Sequence, residues 1–254
     1  MTFATYPSLA GRVVFISGGA TGIGAEIVRA FARNDCRIAF IDIDEESGQR
    51  LARELSDAGR EMVFIRADVT DIEALRQSID DTRALLGPVA VLVNNAANDH
   101  RHAVAAVDVA YWDHAQNVNL RHHFFAAQAV HPHMRELGYG SIINLASIAW
   151  RNGVADLAAY AAAKAGIVGL TRALARAFGP DNIRVNAIEP GAVMTERQRT
   201  LWYKTQESVD AIVQRQALRR TLLGDEIARA ALFLAADDSR MITKQSLIVD
   251  GGLR

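Results

Sequence analysis

Of 254 residues only Cys36 is a cysteine, so no disulfide can form within the chain, which fits a reducing compartment. No run of about 20 apolar residues occurs, and this excludes a membrane-spanning helix. An excess of one charge is missing too. Lys and Arg number 28 against 29 Asp and Glu, a net charge of −1, which gives no electrostatic case for nucleic acid or an anionic membrane. The stretch from Met1 to Arg12 has no basic segment followed by an apolar one. No signal peptide is expected, and the expected location is the cytoplasm. Repeats of solenoid length, low-complexity tracts and linker-like stretches are absent. So is the pattern HExxH. His100, His102, His122, His123, His131 and His133 fall two apart or adjacent, a spacing that makes no facial ligand set, so no metal is expected.

What is there is half hydrophobic and 22% charged, which suits one large α/β domain or two small ones. A chain this long buries a sizeable core without disulfides or metal. Arg12-Val-Val-Phe-Ile-Ser17 reads as a short strand. Ser17-Gly-Gly-Ala-Thr-Gly-Ile-Gly24 follows at once, then a helical pattern to about Asn34. A strand, a glycine-rich turn and a helix N-terminus make a phosphate-binding arrangement, although the spacing of Gly18, Gly22 and Gly24 is wider than GxGxxG. Arg37–Asp42 is the second strand, with Asp42 at its end. An acid about 20 residues past such a turn commonly binds the adenosine ribose hydroxyls. It would repel a 2′-phosphate, and Gly19 offers no basic side chain to hold one, so NAD is expected over NADP. Asp44 is the better candidate to cap the following helix, Glu45 to Ala58.

Further strands read at Met62–Arg66, Val89–Asn94, Ser141–Leu145, Ile183–Ile188 and Ser246–Val249. Helices read at Asp71–Leu86, as one long stretch over Asp108–Met134, at Ala155–Phe178 and at Gly224–Ala236. This alternation implies one doubly wound parallel sheet of about seven strands in a single domain spanning 1–254. Segment 191–220, which leaves the sixth strand, is expected to face the substrate. Ligands of such sheets bind outside the C-terminal strand ends. The glycine turn, Asp42, Asp68, Asn95, Ser147 and Pro190 all fall there.

Tyr160 and Lys164 are four apart, separated by three alanines that favour helix, so the two polar side chains share a helical face. Alone, such a pair reads as a solvated helix edge. A tyrosine phenol has a pKa near 10, and a neighbouring ammonium favours the phenolate. A phenolate poised near the working pH exchanges a proton with an alcohol or carbonyl oxygen. Ser147, just past a strand, places a hydroxyl where it can meet that phenol.

Over essentially its whole length the sequence resembles the short-chain dehydrogenase/reductase family. The matching pieces are Ser17-Gly-Gly-Ala-Thr-Gly-Ile-Gly24, Asn94-Asn-Ala-Ala97, Asn119, Ser147, Tyr160-x-x-x-Lys164 and Pro190-Gly191, in family order at family spacing. The resemblance implies a Rossmann-type fold and a catalytic tetrad of Asn119, Ser147, Tyr160 and Lys164. In it Tyr160 is the acid/base, and Lys164 binds the nicotinamide ribose and lowers the tyrosine pKa. Ser147 orients the reacting oxygen, and Asn119 holds a water in a proton relay. The same resemblance places Gly18, Thr21, Gly22, Ile23, Gly24, Asp42, Ile43, Asn95, Ala96, Ala97, Pro190 and Gly191 against the cofactor. Asp68 and Val69 flank the adenine, and Val193 and Thr195 hold the carboxamide. Ala97 stands where the family usually has glycine, and Ala146 where a serine often precedes the catalytic one. Within the family the sequence is most similar to bacterial aldose 1-dehydrogenases acting on D-galactose, D-xylose or L-arabinose. That likeness rests on Tyr6-Pro-Ser-Leu9, Asn98-Asp-His-Arg-His102, Tyr111-Trp112, Asn117-Val-Asn-Leu-Arg-His122 and Trp202-Tyr203. It implies oxidation of a cyclic aldose at C1 to an aldonolactone, D-galactose favoured, by a homotetramer.

The residues near the mouth suit a polyol, which needs paired hydrogen-bond partners for its hydroxyls and an aromatic face for its C–H surface. The candidate substrate contacts are Asn98, His100, Ser147, Arg151, Asn152, Tyr160, Glu189 and Trp202. Two alternatives stay open: an NAD(P)-dependent reductase of a 3-oxoacyl or other small carbonyl substrate, and a non-catalytic NAD-binding regulator.

Overall fold

The computed structural model describes residues 3–253, so Met1, Thr2 and Arg254 of the expected domain lie outside the described residues. The strands are β1 (Val13–Ser17), β2 (Arg37–Asp42), β3 (Met62–Arg66), β4 (Val89–Asn94), β5 (Gly140–Leu145), β6 (Ile183–Pro190) and β7 (Ser246–Val249). All pair in parallel, in the order β3-β2-β1-β4-β5-β6-β7. The chain winds outward from β1 to β3, crosses back and winds outward again from β4. The crevice of this reversal opens between the C-terminal ends of β1 and β4, where Ser17 lies beside Asn94.

Both faces of the central strands are covered, which is why β1 and β4 read as unbroken apolar runs rather than alternating ones. Val14 and Ile16 point to one layer with Ile27, Val28 and Phe31 of α1 (Gly22–Ala32), Leu51 of α2 (Glu45–Asp57) and Leu232 of α10 (Gly224–Ala235). Phe15 and Leu92 point the other way, to Leu75 and Ile79 of α3 (Ile72–Leu86), Val130 of α5 (His122–Leu137) and Leu174 of α7 (Ala158–Phe178). Each large side chain buried in these layers contributes about 1.5–3 kcal/mol. The remaining helices, α4 (Val109–Gln116), α6 (Ala149–Asn152), α8 (Glu196–Leu201) and α9 (Gln206–Arg215), lie around the sheet mouth or lead to it. Among the described residues no helix is long and apolar enough to cross a membrane.

Three elements differ from the sequence reading. The single helix expected over Asp108–Met134 is interrupted by a π-helical turn at Asn117–Arg121, centred on Asn119. Strand β6 does not stop at Ile188 but continues through Glu189 and Pro190, pairing there with Ile248 and Val249. Its pairing with β5 ends at Ile188, so the missing N–H of Pro190 costs no bond on that side. The short helix α6 between Ser147 and Tyr160 has no periodicity long enough to be read.

Candidate active site

The glycine turn is closed by backbone contacts. Gly18 has φ +67°, and a Cβ there would stand 2.7 Å from the Ala96 Cα; one on Gly24 would stand 1.8 Å from the Gly18 carbonyl oxygen. Only glycine fits either position. Asn95 locks the turn: its Nδ2 donates to the Gly18 oxygen at 2.7 Å, while the backbone N–H groups of Asn95 and Ala96 both donate to Ser17 Oγ. The first helical bond of α1 runs from Ala25 N to Thr21 O. The preceding N–H groups at Gly22, Ile23 and Gly24 therefore form a helix N-terminus suited to a phosphate. Gly22 lies against the Thr195 methyl, 3.3 Å from where its own Cβ would be, so the start of α8 meets the start of α1.

Asp42 ends β2 beside this turn. One carboxylate oxygen accepts the Ala20 N–H at 3.0 Å and the other accepts that of Asp44 at 3.1 Å. Asp44 is the cap of α2, accepting from Ser47 N. Among the described residues Asp42 forms no ion pair, and both its oxygens accept backbone N–H groups only. Exposed Ile43 follows it, and Asp68 and buried Val69 lie just beyond the adjacent end of β3. Pro190 and Gly191 stand at the end of β6, Val193 bridges to Leu222, and Thr195 caps α8 through Gln198 N. A cradle only glycine fits, a free helix N-terminus and an unpaired carboxylate one strand away together fit a dinucleotide laid across the crevice.

Ser147, Tyr160 and Lys164 converge at the ends of β5 and α7. Lys164 is buried, and its Nζ donates to the Leu145 carbonyl at 2.7 Å and lies 5.4 Å from the Tyr160 ring centre. Burial lowers the Lys164 pKa to about 7, against the favourable charge of Asp99. Burial raises the Tyr160 phenol, Asp99 raises it further, and a hydrogen bond with Ser147 pulls it back. The sequence reading expects Lys164 to draw the phenol down. In the protein's own side chains burial sets the direction for both groups, and Lys164 does not enter the Tyr160 shift. Asn119 is buried in the π-turn, and both ends of its amide are bonded: Oδ1 accepts the Asn98 N–H at 2.8 Å and Nδ2 donates to the Ala115 carbonyl at 2.9 Å. Its side chain thus fixes the loop after β4.

The expected substrate contacts fall into two groups. Asn98 and His100 are exposed on that loop, Asn152 is exposed on α6, and Trp202 follows α8 with the Arg101 guanidinium 4.5 Å from its ring centre. Glu189 is placed differently. Its carboxylate is fully buried and bound by Arg151 Nε at 2.6 Å, Arg151 Nη2 at 2.8 Å, Trp150 Nε1 at 3.0 Å and the Ser246 hydroxyl. In this structure its oxygens are taken by protein donors and it anchors Arg151 and Trp150, the Arg151 Cζ lying 4.2 Å from the Trp150 ring centre. Missing from the sequence reading are Arg197 and Gln198, which bond Asp99 and Asn98 and so bridge the loop after β4 to α8. Partners 98 and 99 residues apart leave no local signal. Also missing is the polar layer behind Lys164. There His122 meets the Ala96 carbonyl and His123 meets Asn144, both rings buried and both held neutral by burial, with the His122 pKa lowered to about 3.

A doubly wound sheet with a dinucleotide cradle and a Ser–Tyr–Lys constellation defines an oxidoreductase that works at a CH–OH group with a pyridine nucleotide. The comparisons make the family specific: the chain belongs to the short-chain dehydrogenase/reductase family. The family profile described as Enoyl-(Acyl carrier protein) reductase matches residues 18–254. A probable galactose dehydrogenase of Rhizobium meliloti is 49% identical over 249 residues, covering 98% of this chain and 97% of that one. A D-xylose 1-dehydrogenase of Caulobacter vibrioides is 45% identical over 254 residues, covering 100% of both. Among solved structures, a short-chain dehydrogenase/reductase from Serratia marcescens superposes with a TM-score of 0.90 at 34% identity, covering 97% of this chain and 99% of that one.

Proposed function

We propose that the protein is an NAD-dependent aldose 1-dehydrogenase that oxidises the C1 hydroxyl of a cyclic sugar, D-galactose first, to the aldonolactone. The observation that carries this reading is the polarity of the mouth. Asn98, Asp99, Arg197 and Gln198 form one hydrogen-bonded set whose Asp99 charge acts on Tyr160, where a lipid or steroid would need aliphatic walls. The galactose and xylose activities in the names of the relatives point the same way. Asp42, with no cation paired to it, favours a ribose 2′-hydroxyl over a 2′-phosphate, hence NAD.

The dinucleotide, when bound, supplies the acceptor for the C1 hydride. The chain does the rest. Ser147 donates to the reacting oxygen and orients it, and Tyr160 takes the hydroxyl proton as the C–H bond breaks. Lys164, held by Leu145, offers its remaining N–H groups to the ribose and its charge to the phenolate. Asn119 holds the loop of Asn98 and, in the same reading, a relay water. A homotetramer belongs to the proposal and is checked by light scattering.

Initial rates of NADH formation with D-galactose, D-xylose, L-arabinose, D-glucose and D-fucose, each with NAD⁺ and NADP⁺, test the function. The expected outcome is turnover of an aldose with NAD⁺ ahead of NADP⁺. Reduction of a 3-oxoacyl thioester outrunning every sugar would replace this reading.

A further inference from the structure

Asp99 lies in the loop after β4, and its carboxylate is held from the far side of the mouth. Gln198 Nε2 donates to one oxygen at 2.5 Å and Arg197 Nε to the other at 3.3 Å, while Arg197 Nη2 reaches Asn98 at 3.0 Å. Both donors sit in the first turn of α8, whose cap Thr195 touches the glycine turn. The carboxylate is therefore fixed between the cofactor cradle and the loop that Asn119 anchors. It remains 21% exposed. A carboxylate offers about four acceptor positions, and two are taken here.

A clasp alone would not need a charge. An asparagine would join Gln198 and Arg197 without placing an anion near Tyr160, where it works against phenolate formation. The same charge favours the Lys164 ammonium, and it offers a substrate hydroxyl what a neutral amide cannot. A carboxylate accepts hydroxyl hydrogen bonds about twice as strong as those to a neutral group.

Resting on the aldose reading above, we propose that Asp99 selects the substrate: its free acceptor positions take the hydroxyl on the carbon next to the reacting one. Arg197 and Gln198 hold the carboxylate in place. Tyr160 engages the C1 oxygen, and Asp99 is held across the mouth by α8 with its charge acting on both Tyr160 and Lys164, so the hydroxyl assigned to it is the next one on the ring, at C2.

The test compares D-galactose with 2-deoxy-D-galactose in the unaltered protein and in Asp99→Asn, with NAD⁺. The unaltered protein loses about 10- to 100-fold in kcat/KM when the C2 hydroxyl is removed. In Asp99→Asn the sugar KM rises and the two sugars come within about threefold of each other, the missing hydroxyl and the missing charge being one interaction. A penalty of the same size in both proteins overturns the proposal, as does no penalty in the unaltered one. If the unaltered protein oxidises no aldose, the functional reading falls and the sugar role of Asp99 with it; a persisting penalty in Asp99→Asn removes Asp99 alone. NADH binding by calorimetry confirms that the variant is folded, and Asp99→Ser decides by the same ratio should Asp99→Asn not bind.

Discussion

The two halves of the site are built by different means. On the cofactor side, β1 to β3, the shape is set by backbone: Gly18 against Ala96, Gly24 against Gly18, Asn95 on the Gly18 carbonyl. On the substrate side, the loops after β4, β5 and β6, it is set by charged and polar pairs: Asp99 with Arg197 and Gln198, Glu189 with Arg151 and Trp150. Backbone packing tolerates little and holds one ligand. Side-chain pairs can be exchanged while the sheet stays as it is, so one scaffold can accept different alcohols.

The largest effect is expected where the halves meet. Tyr160→Phe removes the proton acceptor and leaves the ring, and turnover should fall by about 10²–10⁴. NADH binding should stay within about threefold. Near-normal turnover, measured by NADH absorbance, would take the phenol out of the mechanism. Next comes Gly24→Ala, which tests whether the cofactor half is held by backbone. A methyl 1.8 Å from the Gly18 oxygen cannot be relieved by a rotamer change. It should cost about 1–3 kcal/mol in unfolding free energy and at least about tenfold in NAD affinity. A variant as stable and as tight as the parent would erase the contrast between the halves. Asp42→Ala should lower kcat/KM for NAD⁺ by about 10- to 100-fold and change that for NADP⁺ far less, narrowing the ratio between them. An unchanged ratio would mean that Asp42 only holds Ala20 and Asp44.

The same contrast explains what could be read from the residues alone. Strands β2, β3, β4 and β7 lie at the expected bounds because each is a short, mostly apolar run bounded by polar or turn residues. Asp44 caps its helix as expected, since capping is a three-residue event. The π-turn at Asn119 was not legible: its asparagine answers a backbone N–H at Asn98, 21 positions earlier. Glu189 was expected to touch the substrate because it ends a strand at the mouth. Its burial depends on Arg151, 38 positions earlier, and Ser246, 57 positions later. Residue type and strand position locate the mouth; which side chains are spent on one another is decided by partners distant in sequence.

The smallest expected effect probes one such pair by its pH dependence. Burial raises the Glu189 pKa, but hydrogen bonds from Arg151, Ser246 and Trp150, with the charge of Arg151, outweigh it, and the net shift is downward. A carboxylate whose folded pKa lies below its unfolded value adds stability at pH above the unfolded value, near 4.3, and loses it as pH falls through the folded value. Arg151→Met keeps a long apolar stem over Trp150 and removes the charge. Burial then dominates, the Glu189 pKa rises, and the acid-unfolding midpoint should move to higher pH. The Arg151 side chain is 30% exposed, and two other donors remain on the carboxylate, so the loss at neutral pH should be only about 1–3 kcal/mol. Circular dichroism against pH measures both. A midpoint that does not move would show that Ser246 and Trp150 suffice to hold Glu189 ionised, leaving Arg151 free to turn toward a sugar.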